Sequence, residues 1–260
     1  MQTIHDYAGF KVDRNELAKL FYIIFNPEMK NADTESGFGY TKFRFLKYYL
    51  QNFNLVGKNY LPTDLGKLIY TYDKYFEDEV TYWVLLYHWS KKASNPFLYF
   101  LINESFDAKN KDELKKDFRA WAVMNEIKID YDKKDFVGGL IARTLNSFTD
   151  NDAFKNLNIF TVQNEKYYRD IPYKAIPLLI AYVLYDNRLE RTTISFDELL
   201  KEPNNIGKLF NLDRELLQQN IYAMRDLGLL QYVQSADLHH IIYTYKEIHI
   251  KLLERYYEQY

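Results

Sequence analysis

Cysteine is absent from this 260-residue chain, and with it go disulfides, thiolate metal sites and any thiol or persulfide nucleophile. A reducing cytoplasm is the expected home. Glycine (9) and proline (6) are scarce, so helix breakers lie far apart and long helical stretches are expected. Charge of one sign is not in excess either: 34 Lys and Arg stand against 36 Asp and Glu, a net charge of −2. A dedicated phosphate binder usually shows a basic surplus over the whole domain, so any nucleic-acid contact must be a local patch. Long apolar runs are missing too. The stretch Ile176 to Leu184 falls well short of a membrane span, and MQTIHDYAGFKVDR lacks the layout of a signal peptide. The expectation is a soluble, intracellular protein without a membrane partner.

What is present suffices for a core: 47% of residues are hydrophobic, enough for one large domain or two small ones. The 25 Tyr and 18 Phe invite a reading as base-stacking platforms. Core filling explains them better. Tyr, Lys, Asn and Ile are abundant together, as an AT-rich genome produces, and most such rings fill cores or half-buried helix faces.

The patterning predicts a mainly α fold with two winged-helix-like units flanking a helical middle, each with a short β-hairpin wing. Residues 1–92 form the first unit, 93–190 the middle and 191–260 the last. Asp13 opens a D-x-x-E cap, and LAKLFYIIF carries helical spacing, so a helix is expected from Arg14 to Phe25. In TKFRFLKYYLQNFNLV the apolar stripe is Phe43, Leu46, Leu50 and Phe53. At 100° per residue, Tyr40, Arg44, Lys47 and Gln51 share the opposite arc, a face of base-reading and phosphate-binding types. GKNY then offers a tight turn, and LPTDLGKLIY starts a helix with Thr63 as cap. Helix, wing and helix suggest a winged helix whose DNA contacts are Tyr40, Lys42, Arg44, Lys47, Gln51 and Lys58. Any amphipathic surface helix also shows some Lys and Arg outside.

The middle predicts helices over Asn95 to Phe106, Asp112 to Met124 and Lys133 to Leu145, with a shift in composition near Ser147. NIFTVQNEKYYRDI suggests a hairpin, and AIPLLIAYVLYD a buried helix. In the last third, SFDE is a capping box, LFNLDRELLQQNIYAMRDLGLL one amphipathic helix ended by Gly228, and LQYVQSADLHHIIYTY two strands of a second wing. The tail KEIHIKLLERYYEQY fits helix or strand. The two outer units do not match closely enough to be a repeat.

Acids crowd YTYDKYFEDEVTYWVLLYHW. Asp73 and Glu77 are four apart and would project together from a helix, as paired carboxylates do when they hold a magnesium ion that activates water against a phosphodiester. Asp78, Thr81, His88 and Lys92 share another quarter of the circumference, where His88 could carry a proton. The structural alternative is equally mechanistic: acids in a first turn offset the helix dipole, Asp78 caps, and His88 and Trp83 fill the core. No G-x-x-x-x-G-K-[ST], H-E-x-x-H or G-x-S-x-G is present. His239 and His240 would point to opposite faces of a strand, which leaves little for a metal site.

The order of these motifs resembles the SspB-like family of bacterial DNA phosphorothioation and phage-defence systems. GYTKFRFLKYYLQNFNLV, then LPTDLGKLIY, then YDKYFEDEVTYWVLLYHW matches the family's helix, its "LT-x-x-G" helix start and its "D-x-Y-x-E-D-x-x-T-x-W-x-L-x-x-H" signature. The signature residues here are Asp73, Tyr75, Glu77, Asp78, Thr81, Trp83, Leu85 and His88. The family's opening "G-H-E-x-F" differs: this chain has IHDYAGFK, with His5 and Asp6 separated from Phe10. The resemblance implies a DNA-binding component of such a system and, as its enzymatic form, a magnesium-dependent nickase. Asp73, Glu77 and Asp78 would then be metal ligands and catalytic groups, His88 the acid or base, and Arg44 and Lys47 would hold the backbone. It also implies work beside a cysteine desulfurase and an ATP-pyrophosphatase-type partner, which suits a chain without thiols. The rival expectations are a non-catalytic winged-helix adaptor, with the acids structural, and a transcriptional regulator of its operon.

Overall fold

The structure is a computed structural model and describes residues 2–3, 10–26, 28, 32–104, 108–128, 136–169, 172–173, 176–235 and 238–259. His5 and Asp6 lie outside them. Helices dominate, and the chain divides into two compact units, Met1–Asp170 and Ile171–Tyr260. The sequence-based boundary at residue 92 therefore falls inside the first unit, which also takes in most of the expected helical middle.

In unit 1, β1 (Gln2–Thr3) precedes α1 (Arg14–Phe25), α2 (Ala32–Glu35), α3 (Tyr40–Asn52), α4 (Asp64–Tyr72), α5 (Glu79–Trp89), α6 (Pro96–Asn103) and α7 (Lys111–Met124). Then come β2 (Ile127–Lys128), α8 (Phe136–Thr149), β3 (Thr161–Gln163) and β4 (Lys166–Tyr168). The starts follow their caps: Asp13 accepts from Glu16 N at 3.0 Å, Thr63 from Gly66 N at 2.9 Å and Asn95 from Leu98 N at 3.0 Å. The α3 stripe of Phe43, Leu46, Leu50 and Phe53 is buried as its spacing requires. Phe53 meets Trp89 and Phe154 edge-on, and Tyr49 stacks on Phe53, so many of the aromatic residues are core filler.

Helix α5 is the centre of this core, with every residue from Val80 to Trp89 buried. A helix enclosed on all sides has no solvent face, so the arc that would have carried Thr81 and His88 outward is packed instead. Helix α6 ends at Asn103, and Phe106 lies outside the described residues. Helix α8 runs on to Thr149, past the compositional shift at Ser147, because that serine serves the helix: its hydroxyl donates to Arg143 O at 3.0 Å and accepts from Val12 N at 3.2 Å. Residues 133–135, the expected start of this helix, lie outside the described residues. The hairpin at NIFTVQNEKYYRDI forms as β3 paired antiparallel to β4.

Unit 2 contains α9 (Pro177–Asp186), β5 (Thr193–Ser195), α10 (Phe196–Lys201), α11 (Ile206–Leu209), α12 (Arg214–Asp226), β6 (Leu230–Ser235), β7 (Leu238–Tyr243) and α13 (Ile250–Tyr257). The single amphipathic helix expected over 209–230 is divided. Asn211 takes a left-handed φ of 52°, and Asp213 caps a new helix by accepting from Leu216 N at 2.8 Å. Gly228, at φ 73°, ends α12 as expected. Both strands at LQYVQSADLHHIIYTY are present, and a short strand not foreseen, β5, completes an antiparallel sheet in the order β5-β7-β6. The ambiguous tail is helical because Leu252, Leu253 and Tyr256 fall on one face and are buried. No described helix is long and apolar enough to cross a membrane.

At the head of α10, Arg191 grips Glu198, and Asp197 sits between Lys201 and Arg214 at 2.9 and 2.8 Å. These cations hold both carboxyls below their ordinary values. A depressed folded pKa gives stability that is complete above the unfolded value and is lost as pH falls through the folded one. The melting temperature of the full chain should therefore fall on acidification below the ordinary glutamate value of 4.5. In Glu198→Gln that acid limb should be shallower, and thermal melts across the acid range measure it.

Candidate functional site

Helix α3 points Tyr40 and Arg44 to solvent, with Tyr40 79% exposed. Lower on the same arc, Lys47 and Gln51 reach the turn that follows the helix. The Lys47 ammonium lies 3.8 Å from the centre of the Tyr60 ring, and Gln51 Nε2 donates to Gly57 O at 3.4 Å. The turn is closed by an antiparallel bridge between Val56 and Pro62 and by Gly57 N to Leu61 O and Tyr60 N to Gly57 O, both 2.9 Å. Lys58 is exposed at its tip. Five of the six expected DNA contacts thus belong to one helix-and-turn surface. Lys42 differs: about half a turn round α3, it pairs with Glu16 of α1 and lies over the Phe10 and Phe38 rings. Among the described residues no acid pairs with Arg44, Lys47 or Lys58.

The turn is anchored at its far end by α4. The Thr63 hydroxyl donates to Asn54 O at 2.6 Å while capping Gly66 N. A Cβ on Gly66 would stand 2.1 Å from Leu55 O and 2.6 Å from the Phe25 ring, so only glycine lets α4 approach the backbone at Leu55. The T-x-x-G of LPTDLG is explained by this contact.

The acids lie between α4 and α5. Asp73 ends α4, and its two carboxylate oxygens accept from Glu77 N at 2.8 Å and Asp78 N at 3.0 Å. Burial pushes its carboxyl pKa up, against the pull of those amides and the Thr81 hydroxyl. Asp78 is the N-cap of α5 and accepts from Val80 N at 2.7 Å. Between them Phe76 takes a left-handed φ of 55° and turns its ring into the core, 5.0 Å from that of Phe21. Asp73 and Asp78 are thus brought together as two halves of one helix junction. Glu77 is exposed and lines a pocket of about 540 Å³ with Arg14, Lys19, Tyr22, Glu35 and Tyr75. Sequence reasoning missed that pocket, although Tyr75 stands in the signature. His88 is not part of the cluster: ten residues along α5 from Asp78, it lies about 15 Å away along the axis, buried, with its ring 4.8 Å from that of Tyr87.

Magnesium demands octahedral oxygen donors. Asp73 accepts two backbone amides and Asp78 one, Glu77 is exposed, and among the described residues no three His, Asp or Glu form a metal-binding group. Asp73, Glu77 and Asp78 are therefore not gathered into a set of ligands around one point. In unit 2, His239 Nδ1 lies 2.7 Å from the Tyr232 hydroxyl, and His249 pairs with Asp186 at 3.2 Å.

A family model described as a protein of unknown function, DUF4007, matches residues 12–257. The chain belongs to this family. Two solved structures share its fold. A magnesium-ion-bound SspB aligns with a TM-score of 0.78 at 14% identity over 99% of this chain and 89% of the other. A second SspB structure gives 0.75 at the same identity and coverage. The SspB-like resemblance carried by the motifs is therefore matched by the fold of the whole DUF4007 chain. No curated protein matches it.

Proposed function

We propose that this chain is a DNA-binding component of a bacterial DNA phosphorothioation and phage-defence system, working beside a cysteine desulfurase and an ATP-pyrophosphatase-type partner. The α3 surface carries the proposal: exposed Tyr40, Arg44 and Lys58 share one face with half-buried Lys47 and Gln51, and the turn is tied to the helix before any ligand arrives. Such cations position a protein on phosphates, while a tyrosine and an amide suit base edges or rings. On this reading α3 with the 57–61 turn, and α12 with the β6–β7 hairpin, are two winged-helix-like modules. The likeness to SspB supports the system, and Asp73 and Asp78 act as helix caps.

A second reading, a magnesium-dependent nickase, draws on the SspB neighbour that holds magnesium. In it Asp73, Glu77 and Asp78 would hold the ion and His88 would move a proton, an assignment that the tied carboxylates and the distant His88 do not favour. One experiment separates the readings: purified protein with supercoiled plasmid and magnesium or manganese, beside chelator, Asp78→Ala and Arg44→Ala. The binding reading expects no metal-dependent nick from this chain alone, duplex binding about tenfold weaker in Arg44→Ala, and unchanged binding in Asp78→Ala wherever it is folded. Metal-dependent relaxation that disappears in folded Asp78→Ala would establish the nickase instead.

A further inference from the structure

The turn at 57–61 presents two apolar side chains where a purely electrostatic contact needs none. Leu61 is 62% exposed and Tyr60 36% exposed, next to Lys58 at the tip. One exposed leucine alone means little. Three further features set this one apart. Tyr60 is held at φ 61°, a conformation costly for a bulky residue and retained only where its surroundings enforce it. The enforcing contacts are the Lys47 ammonium on its ring and the closed hydrogen bonds of the turn. The base of the turn is fixed on both sides, by Gln51 on Gly57 and by Thr63 on Asn54. Finally, Lys47 on the Tyr60 ring and Lys58 in the turn set cations beside the two apolar groups, with Arg44 one turn up α3, so the occupant that complements the surface is polyanionic outside and apolar inside. A stacked base step flanked by phosphates has that character.

We propose that this turn is a wedge that enters a weakened base step of duplex DNA, with Leu61 lodging between bases and Tyr60 beside it, so that nicked or otherwise unstacked DNA is the preferred substrate. Opening an intact step costs a few kcal/mol, and the cost is least where stacking is already broken. A rigid wedge gains most there, since no ordering of the turn opposes insertion. The inference rests on the DNA-binding reading of the α3 face and narrows it to a class of substrate.

The test compares the full chain on two fluorescent duplexes of one sequence, one intact and one with a central nick flanked by 2-aminopurine. Wild type should bind the nicked duplex about five- to tenfold more tightly and raise the 2-aminopurine signal. Leu61→Ser, which leaves the core untouched, should erase both the preference and the signal. Arg44→Ala should weaken both duplexes equally and keep the preference. Equal wild-type affinity for the two duplexes, or a preference that survives Leu61→Ser, overturns the wedge and leaves the α3 interface standing. Binding to neither duplex overturns the interface and the wedge together.

Discussion

Gly66→Ala should cost about 3 kcal/mol, the upper end for an overpacked contact, and lower the urea midpoint of unit 1 clearly. The added methyl would meet a backbone oxygen, Leu55 O, at 2.1 Å and the Phe25 ring at 2.6 Å. A flexible side chain could swing away, but Leu55 O cannot, because it accepts from Thr63 N at 3.1 Å and from the Thr63 hydroxyl at the same distance. Relief requires α4 to lift from the Leu55 backbone, which exposes Leu65 and Ile69 and frees the base of the 57–61 turn. Total stabilities of about 5–15 kcal/mol leave little margin for such a loss. Urea denaturation followed by tryptophan fluorescence measures it, since Trp83, Trp89 and Trp121 are all buried in unit 1. A midpoint within error of wild type would show that α4 does not sit where the structure has it.

Asp73→Ala should be the second most damaging change, at about 2–4 kcal/mol, because it leaves the Glu77 and Asp78 amides without their acceptor at the junction of α4 and α5. Asp73→Asn keeps one oxygen and removes a buried charge, so it should cost clearly less. The pH dependence has its own sign. A carboxyl whose folded pKa is raised binds more protons folded than unfolded, so its contribution to stability declines as pH rises through the window between the two values. Removing it in Asp73→Asn should take away that decline, an effect opposite in sign to that of Glu198. The same pair of variants bears on chemistry. If Asp73 is a junction residue, folded Asp73→Asn binds DNA like wild type; if it is a metal ligand, the amide abolishes cleavage while leaving the melt nearly unchanged.

Much of the fold was legible because its signals are local. Asp13, Thr63, Asn95 and Ser195 mark helix starts through one side chain and one amide, and the α3 stripe follows from spacing alone. Where tertiary partners decide, the sequence misled or was silent. Nothing local in TTIS announces β5, which is a strand only because β7 offers its edge. Nothing in NLDRE forbids a continuous helix until Asn211 turns left-handed and Asp213 caps anew.

The candidate site divides the same way. The α3 face could be read from angles and its turn from GKNY, whereas the Lys47 contact on the Tyr60 ring and the exposure of Leu61 needed three dimensions. The acids and His88 show the limit of angular reasoning: a helical wheel records direction and ignores rise, so residues ten apart can share an arc and still stand far from each other. The wheel also cannot tell a solvent face from a buried one, and α5 is buried throughout.

The salt dependence of duplex binding tests the central claim most directly. Anisotropy titrations of the full chain on one duplex, at a series of salt concentrations from about 50 to 200 mM, give the slope of log K against log salt for wild type and for Arg44→Ala/Lys47→Ala/Lys58→Ala. If α3 and its turn hold the phosphates, wild type binds with a steep slope. The triple variant, used where its melting temperature matches wild type, should flatten that slope by about 0.9 for each lost contact, close to three in all. An unchanged slope in the triple variant would place the DNA contact, if there is one, on another face and contradict this account.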